Sequence, residues 1–209
     1  TIQPQTPDTF RLLFILCLSP FIVFTMATIQ QANSDNSASF SLTPDISPFQ
    51  QQWNVLVEDN ETNSFSYYLK DAFPQEQLDR WFEELHPSNF VANNNAWTDA
   101  QYKGEPLLRK TAWVVLQDEC ICEYGYSDTW QSIATSPKFR QTISGISKAV
   151  QKVTGDRSIN CCNLNYYPRG GGVGFHADDE SLFDGAHQNI RIISLSLCGR
   201  TGGSRTFQI

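Results

Sequence analysis

The chain has 209 residues, 40% of them hydrophobic and 18% charged, with 15 Lys+Arg against 22 Asp+Glu for a formal net charge of −7. That profile fits one folded domain with extra terminal segments. It excludes wholesale disorder, a collagen-like repeat, a multi-span membrane protein and a uniformly basic nucleic-acid coat.

The charge is unevenly spread: residues 1–100 hold 3 basic and 12 acidic side chains (−9), and residues 101–209 hold 12 and 10 (+2). The C-terminal half can therefore approach a polyanion that the N-terminal half repels. The first apolar run, Leu12 to Phe24, follows Arg11 and is interrupted by Ser19 and Pro20. At 13 residues it is too short to span a bilayer as a helix, but it suits a signal-peptide core. The lone methionine, Met26, favours another reading, in which translation starts there and residues 1–25 are upstream sequence read through in frame. Asn60-Glu61-Thr62 is a glycosylation sequon that matters only in a secreted chain.

From Met26 to about Phe49 the chain is rich in Ser, Asn, Gln, Thr and Pro and reads as a disordered tail. The expected division is thus 1–51, an apolar segment and disordered tail, and 52–209, the folded domain. Phe65 to Lys70 reads as a short strand. Pro74 then opens a helix to about His86, whose Leu78, Trp81, Phe82 and Leu85 fall on one apolar stripe. Thr111 to Leu116 is rich in β-formers. A second helix is predicted over 137–154, with Ser136 as N-cap, Pro137 in the first turn and Gly155 beyond the end. Its Phe139, Ile143, Ile146, Val150 and Val153 form the packing face. Two further strands, Ile159 to Tyr167 and Ile190 to Leu197, flank a glycine-rich, acidic loop. The simplest architecture is one helix-supported β domain.

Six cysteines are present, Cys17, Cys120, Cys122, Cys161, Cys162 and Cys198, none in a paired C-x-x-C spacing. Reduced, mostly buried thiols are expected, with Cys161 and Cys162 on opposite faces of their strand.

The chemistry is concentrated in the stretch from Asn163 to Glu180. His176 and Asp178 form an H-x-D pair, in which an imidazole and a carboxylate at i and i+2 converge on one side of an extended chain. One His and one carboxylate are two-thirds of the facial triad that holds non-haem Fe(II) with open coordination sites. Upstream, Asn165 and Tyr167 have the same spacing and offer an amide and a phenol to a dicarboxylate beside the metal. The bland alternative is a hairpin with an ordinary polar face. Gly170, Gly171, Gly172 and Gly174 permit a tight connection, but they lack the G-K-[ST] ending of a phosphate loop.

The combination of N-x-Y, H-x-D-D-E, Ile192-Ile-Ser-Leu-Ser-Leu197 and Arg205-x-Phe207 resembles the AlkB-like Fe(II)/2-oxoglutarate dioxygenases, especially those of unicellular algae such as dinoflagellates. The resemblance covers roughly residues 65–209. It extends more loosely through Arg109-Lys-Thr-Ala-Trp113 and Tyr124-Gly-Tyr-Ser127. It implies a mainly β fold with flanking helices, a partial double-stranded β-helix or jelly-roll with iron at its mouth. It also implies Fe(II), 2-oxoglutarate as cosubstrate and O2, with His176 and Asp178 as iron ligands. Asn165 and Tyr167 would contact 2-oxoglutarate and Glu180 the substrate base. Trp113, Tyr124 and Tyr126 would belong to the nucleotide-recognition lid, where an aromatic stacks on a flipped base.

The reaction so implied is oxidative demethylation of an alkylated base in DNA or RNA, releasing formaldehyde and giving succinate and CO2 from the cosubstrate. The family's second iron-binding His and its 2-oxoglutarate-binding Arg would fall beyond Ile209, since His187 lies only 11 residues past His176. The sequence therefore reads as a C-terminally truncated piece of the domain, with weak iron binding and no appreciable turnover. Two other readings stand beside it: a 2-oxoglutarate hydroxylase acting on protein side chains, and a non-catalytic nucleic-acid-binding module. The complete protein is expected to be a monomer without stable membrane association, nuclear or cytoplasmic, with secretory targeting by residues 11–25 still open.

Overall fold

The computed structural model describes residues 13–14, 21–27, 53–59, 61, 64–90, 95–117, 121–126, 129–174, 182, 191–199 and 207–208. In chain order the elements are β1 (Leu13–Phe14), β2 (Phe21–Ala27), β3 (Trp53–Asp59), β4 (Ser64–Leu69), α1 (Gln75–Leu85), β5 (Thr98–Tyr102) and β6 (Glu105–Val115). They continue with β7 (Tyr124–Tyr126), β8 (Thr129–Gln131), α2 (Pro137–Thr154), β9 (Cys161–Tyr167), β10 (Ile193–Cys198) and β11 (Phe207–Gln208). The fold is mainly β with two helices, as expected of a jelly-roll-like α+β domain, and no closed barrel forms among the described residues.

The centre is a five-stranded antiparallel sheet in the order β10-β2-β9-β6-β5. Side-chain alternation gives it two different faces. Ala112 and Val114 of β6, Cys162 and Leu164 of β9, Leu197 of β10 and Met26 of β2 point to one side. There they meet Phe82 and Leu85 of α1 and Phe139, Ile143, Ile146 and Val150 of α2 in the main core. Each large apolar side chain so removed from water contributes about 1.5–3 kcal/mol before the entropy cost of ordering it.

Both helices end where their sequences dictate. Gly155 follows α2 at φ 74°, the left-handed conformation that lets its N–H bond back to the Gln151 carbonyl. Ser136 takes the N-cap position but makes no side-chain capping bond, so Pro137 is the working start signal. At the end of α1, the indole N–H of Trp97 donates to the Leu85 carbonyl at 2.9 Å, satisfying a group the helix itself leaves open.

Two elements come from outside the expected folded region: β1, which pairs with β11, and β2. Phe21–Ala27, which spans the end of the segment read as leader or upstream sequence and the start of the tail read as disordered, lies between β9 and β10 and is hydrogen-bonded to both. Its register places Val23 against Asn165 and Phe21 against Tyr167 on one side, and the same residues against Ser196 and Cys198 on the other. A fully buried strand is continuously apolar, and so is a signal-peptide core; sequence period alone does not separate them.

The cysteines also differ from expectation. Cys161 and Cys162 form no disulfide, are buried and lie on opposite faces, as the alternation requires. Burial, helped by the neighbouring Cys161, pushes the Cys162 thiol well above its ordinary value, so it is an inert packing group. Cys122, however, is disulfide-bonded.

Candidate functional site

The sheet face away from the helices carries the polar residues. On β6 the row is Thr111, Trp113 and Val115; on β9 it is Cys161, Asn163, Asn165 and Tyr167, with Thr111 directly opposite Asn165 and Trp113 opposite Asn163. Asn165 and Tyr167 therefore project to the same side, as their spacing requires. Asn165 is half-buried. Tyr167 is only 2% exposed and packs with Val173 and Cys198, so the chain leaving β9 folds back over it.

Asn163 and Gln131 join this face without having been singled out from sequence. The Thr111 hydroxyl lies 3.0 Å from Gln131 Oε1 and 3.4 Å from Asn163 Oδ1. Its single proton serves the nearer oxygen, and the buried Asn163 keeps its amide N–H groups for other partners. The available signal was position: Asn163 precedes Asn165 by two residues and so shares its face.

A small hairpin, β7–β8, leans over the Trp113 end of the face. Tyr124 packs on Trp113 with ring centroids 5.1 Å apart, and Ala134 N–H donates to the Trp113 carbonyl at 2.7 Å. Trp113 itself is 0% exposed, and its indole N–H donates to the Cys122 carbonyl at 2.8 Å. Read from sequence as part of the nucleotide-recognition lid, Trp113 has no exposed surface in this structure. It is the support behind the half-buried Tyr124. Tyr126 lies on β7, with its side chain outside the described set. The hairpin's outward aromatic is Trp130, 69% exposed and lying against Gly125, where a Cβ would come 2.8 Å from the ring.

The segment after β9 begins with a turn closed by Gly171 N–H donating to the Pro168 carbonyl at 2.9 Å. Gly170 has φ 82°, and Gly171 is pressed against β6, where a Cβ would sit 2.5 Å from the Leu108 carbonyl oxygen. His176, Asp178 and Glu180 follow this turn and lie outside the described residues. Among the described residues no group of three or more His, Cys, Asp or Glu could hold a metal ion.

The connection returns to the sheet through Arg191, whose Nη1 bonds the buried Asp156 carboxylate at 2.9 Å. Asp156 also accepts the Ser158 N–H at 2.9 Å and the Ser158 hydroxyl. Burial alone would raise its pKa, but the hydrogen bonds from Ser158 and Arg191 outweigh that and lower it overall. The connection bearing the H-x-D pair is thus held at both ends, by Gly171 on β6 and by Arg191 on Asp156.

A family model described as the 2OG-Fe(II) oxygenase superfamily matches residues 65–209. No curated protein and no solved structure matches the chain.

Proposed function

The chain belongs to the 2OG-Fe(II) oxygenase superfamily, and from that premise we propose that it is an AlkB-like dioxygenase that oxidatively removes alkyl groups from nucleic-acid bases. Members of the superfamily use Fe(II), 2-oxoglutarate and O2. The observation that carries the proposal is the row of Asn165 and Tyr167 on one polar sheet face, leading directly into the segment with His176 and Asp178.

His176 and Asp178 would hold the iron, and the donor chemistry on the described face fits the cosubstrate. Bound together, the metal, 2-oxoglutarate and O2 supply the oxidation of an N-alkyl C–H bond. The chain's own part is placement. The Asn165 amide and Tyr167 phenol would hydrogen-bond the cosubstrate, and the packing of Val173 on Tyr167 would limit bulk water at that end. Tyr124, backed by the buried Trp113, would form an aromatic wall for a flipped base, and Glu180 is the acidic residue we assign to that base. The mildly basic C-terminal half favours a polyanionic substrate over a protein side chain, and a nuclear or cytoplasmic location goes with that substrate.

The test supplies the protein with Fe(II), ascorbate, 2-oxoglutarate and single-stranded oligonucleotides carrying one N-methylated base, and follows both succinate and loss of the methyl group by mass spectrometry. In a protein that carries the complete facial triad, methylated oligonucleotide is expected to stimulate succinate formation in step with demethylation, whereas residues 1–209 alone are expected to turn over little. Turnover indifferent to the oligonucleotide but stimulated by peptides would reject the nucleic-acid reading.

A further inference from the structure

We propose that Gln131, Thr111 and Asn163 form a recognition triad that hydrogen-bonds the acceptor edge of the substrate base while Tyr124 covers its ring. The proposal rests on the nucleic-acid dioxygenase reading above and deepens it by naming the residues that read the base. Three strands meet at this point. Thr111 lies on β6 and Asn163 on β9, both on the sheet face away from the helices, since their neighbours Ala112, Cys162 and Leu164 enter the main core. Gln131 comes from β8, where it is the register partner of Tyr124 across the hairpin. Residues directly opposite share one face of a ladder, and Tyr124 packs on Trp113, the register partner of Asn163. The hairpin therefore sets Gln131 and Tyr124 together over the patch of sheet that holds Thr111 and Asn163. The bond from Thr111 Oγ1 to Gln131 Oε1, at 3.0 Å, closes the arrangement.

The hydroxyl decides which ends of the two amides remain for a ligand. Gln131 Oε1 and Asn163 Oδ1 lie 3.0 Å and 3.4 Å from the same Thr111 Oγ1, so both carbonyl oxygens turn toward it. Oxygen and nitrogen diverge from the one carbon of a primary amide, and both NH2 groups therefore turn away from the hydroxyl. Neither amide nitrogen has a hydrogen-bond partner among the described residues. Asn163 is only 7% exposed, and a buried donor without an acceptor is unfavourable until a ligand supplies one. Two uncharged NH2 groups suit a neutral acceptor, and the adjoining phenol ring suits a flat one. The ligand class that combines both features is a nucleobase carrying ring carbonyl oxygens, bound by its edge and stacked by its face.

The test uses the full chain, its Q131M, N163L and T111V variants, and S132A as a control at the exposed residue beside Gln131. Short labelled single strands, abasic except at the centre, carry there either thymine or difluorotoluene, which keeps thymine's shape without its hydrogen-bonding groups. A third strand is abasic throughout. Affinities are read by fluorescence anisotropy and folding by thermal melting. The native chain is expected to prefer thymine to the isostere by roughly tenfold, and Q131M and N163L should each lower that ratio by about fivefold while the isostere binds as before. T111V keeps both amides but loses the hydroxyl that orients them, so the ratio should fall by a smaller factor; S132A should leave it unchanged. If N163L fails to fold, Q131M on the half-buried hairpin decides. Variants that weaken both strands alike in step with a lower melting temperature would make the triad structural and overturn the proposal, as would variants that keep the native ratio. Equal binding of thymine and the isostere by the native chain overturns the proposal and leaves the dioxygenase reading standing. A native chain that binds neither better than the wholly abasic strand overturns both.

Discussion

The glycine run after β9 offers a sharp test, because its members differ in what a methyl group would meet. At Gly171 an added Cβ would lie 2.5 Å from the Leu108 carbonyl oxygen and 3.1 Å from that of Pro168. The shortfall against ordinary contact at 3.4 Å is 0.9 Å for the first. Both obstacles are backbone, so relief requires moving the turn off β6 rather than rotating a side chain. Overpacking of this kind costs about 1–3 kcal/mol. At Gly170 there is open space, but φ is 82°, and an alanine in that left-handed region costs about 1–2 kcal/mol. At Gly172 there is neither a neighbour within 4 Å nor a positive φ, so G172A should be neutral or stabilise by up to about 1 kcal/mol through the unfolded chain. At about 2–4 °C per kcal/mol for a chain of this size, G171A should melt several degrees below G172A, with G170A between or level with G171A. Thermal unfolding of the three variants gives the order. Hydrogen exchange at Arg109 and Lys110 should quicken in G171A alone. Equal melting of G171A and G172A would refute the packing of the turn on β6, and with it the anchoring of the segment that carries His176 and Asp178.

Three further expectations follow from packing and charge. D156N removes a buried carboxylate that accepts three hydrogen bonds and pairs with the half-exposed Arg191, so it should cost about 2–3 kcal/mol, seen as a drop in Tm. Because the folded pKa of Asp156 is lowered, its contribution is fully present above the unfolded value of about 4. That contribution is lost as pH falls through the folded value, so the gap between native and D156N should close in acid; a gap constant down to about pH 2 would contradict the assignment. W113F forfeits the bond to the Cys122 carbonyl and should cost about 1 kcal/mol, whereas W113A opens a cavity and should cost about 3–5 kcal/mol. The W113F enzyme should nevertheless keep its affinity for oligonucleotide, and a large loss there would return Trp113 to the substrate surface. Finally, Met26 and Cys162 are register partners across β2 and β9. Antiparallel partners lie about 4.5–5.5 Å apart, within disulfide reach. With diamide added as oxidant, and slowly because Cys162 is buried, the thiol introduced by M26C should therefore form an intramolecular bridge with Cys162, detected as a two-hydrogen mass loss in the monomer; bridging to a different cysteine would place β2 elsewhere.

What was legible in the sequence, and what was not, divides along the range of the interactions. α2 was readable to the residue because Pro137, Gly155 and the spacing of Phe139, Ile143, Ile146 and Val150 act within a few positions of one another. The shared face of Asn165 and Tyr167 was readable for the same reason, since it needs only the two-residue period of a strand. β5 escaped because Thr98-Asp-Ala-Gln-Tyr102 is polar on an edge strand, where water takes one side of the backbone and no apolar pattern is demanded. β2 escaped because its partners, β9 and β10, begin more than a hundred residues later, and an apolar run carries no mark of which strands will flank it.

The same limit governs the site. Trp113 and Trp130 are both tryptophans near the hairpin, yet one is sealed beneath Tyr124 and the other is exposed over Gly125. Nothing in either residue's immediate neighbourhood decides between those outcomes; the pairing of β6 with β9 and the fold-over of β7–β8 do. Arg109 is the strongest instance. In sequence it is one basic residue beside another, Arg109-Lys110. In the sheet, Lys110 pairs with Asp99 of the neighbouring strand, while Arg109 Nε is buried without a hydrogen-bond partner among the described residues. Two adjacent cations thus meet different surroundings, which local composition does not reveal. Exchanging the two identities as R109K/K110R should preserve the ion pair with Asp99, because a guanidinium at position 110 still reaches that carboxylate, and a melting temperature close to that of the native chain would check it.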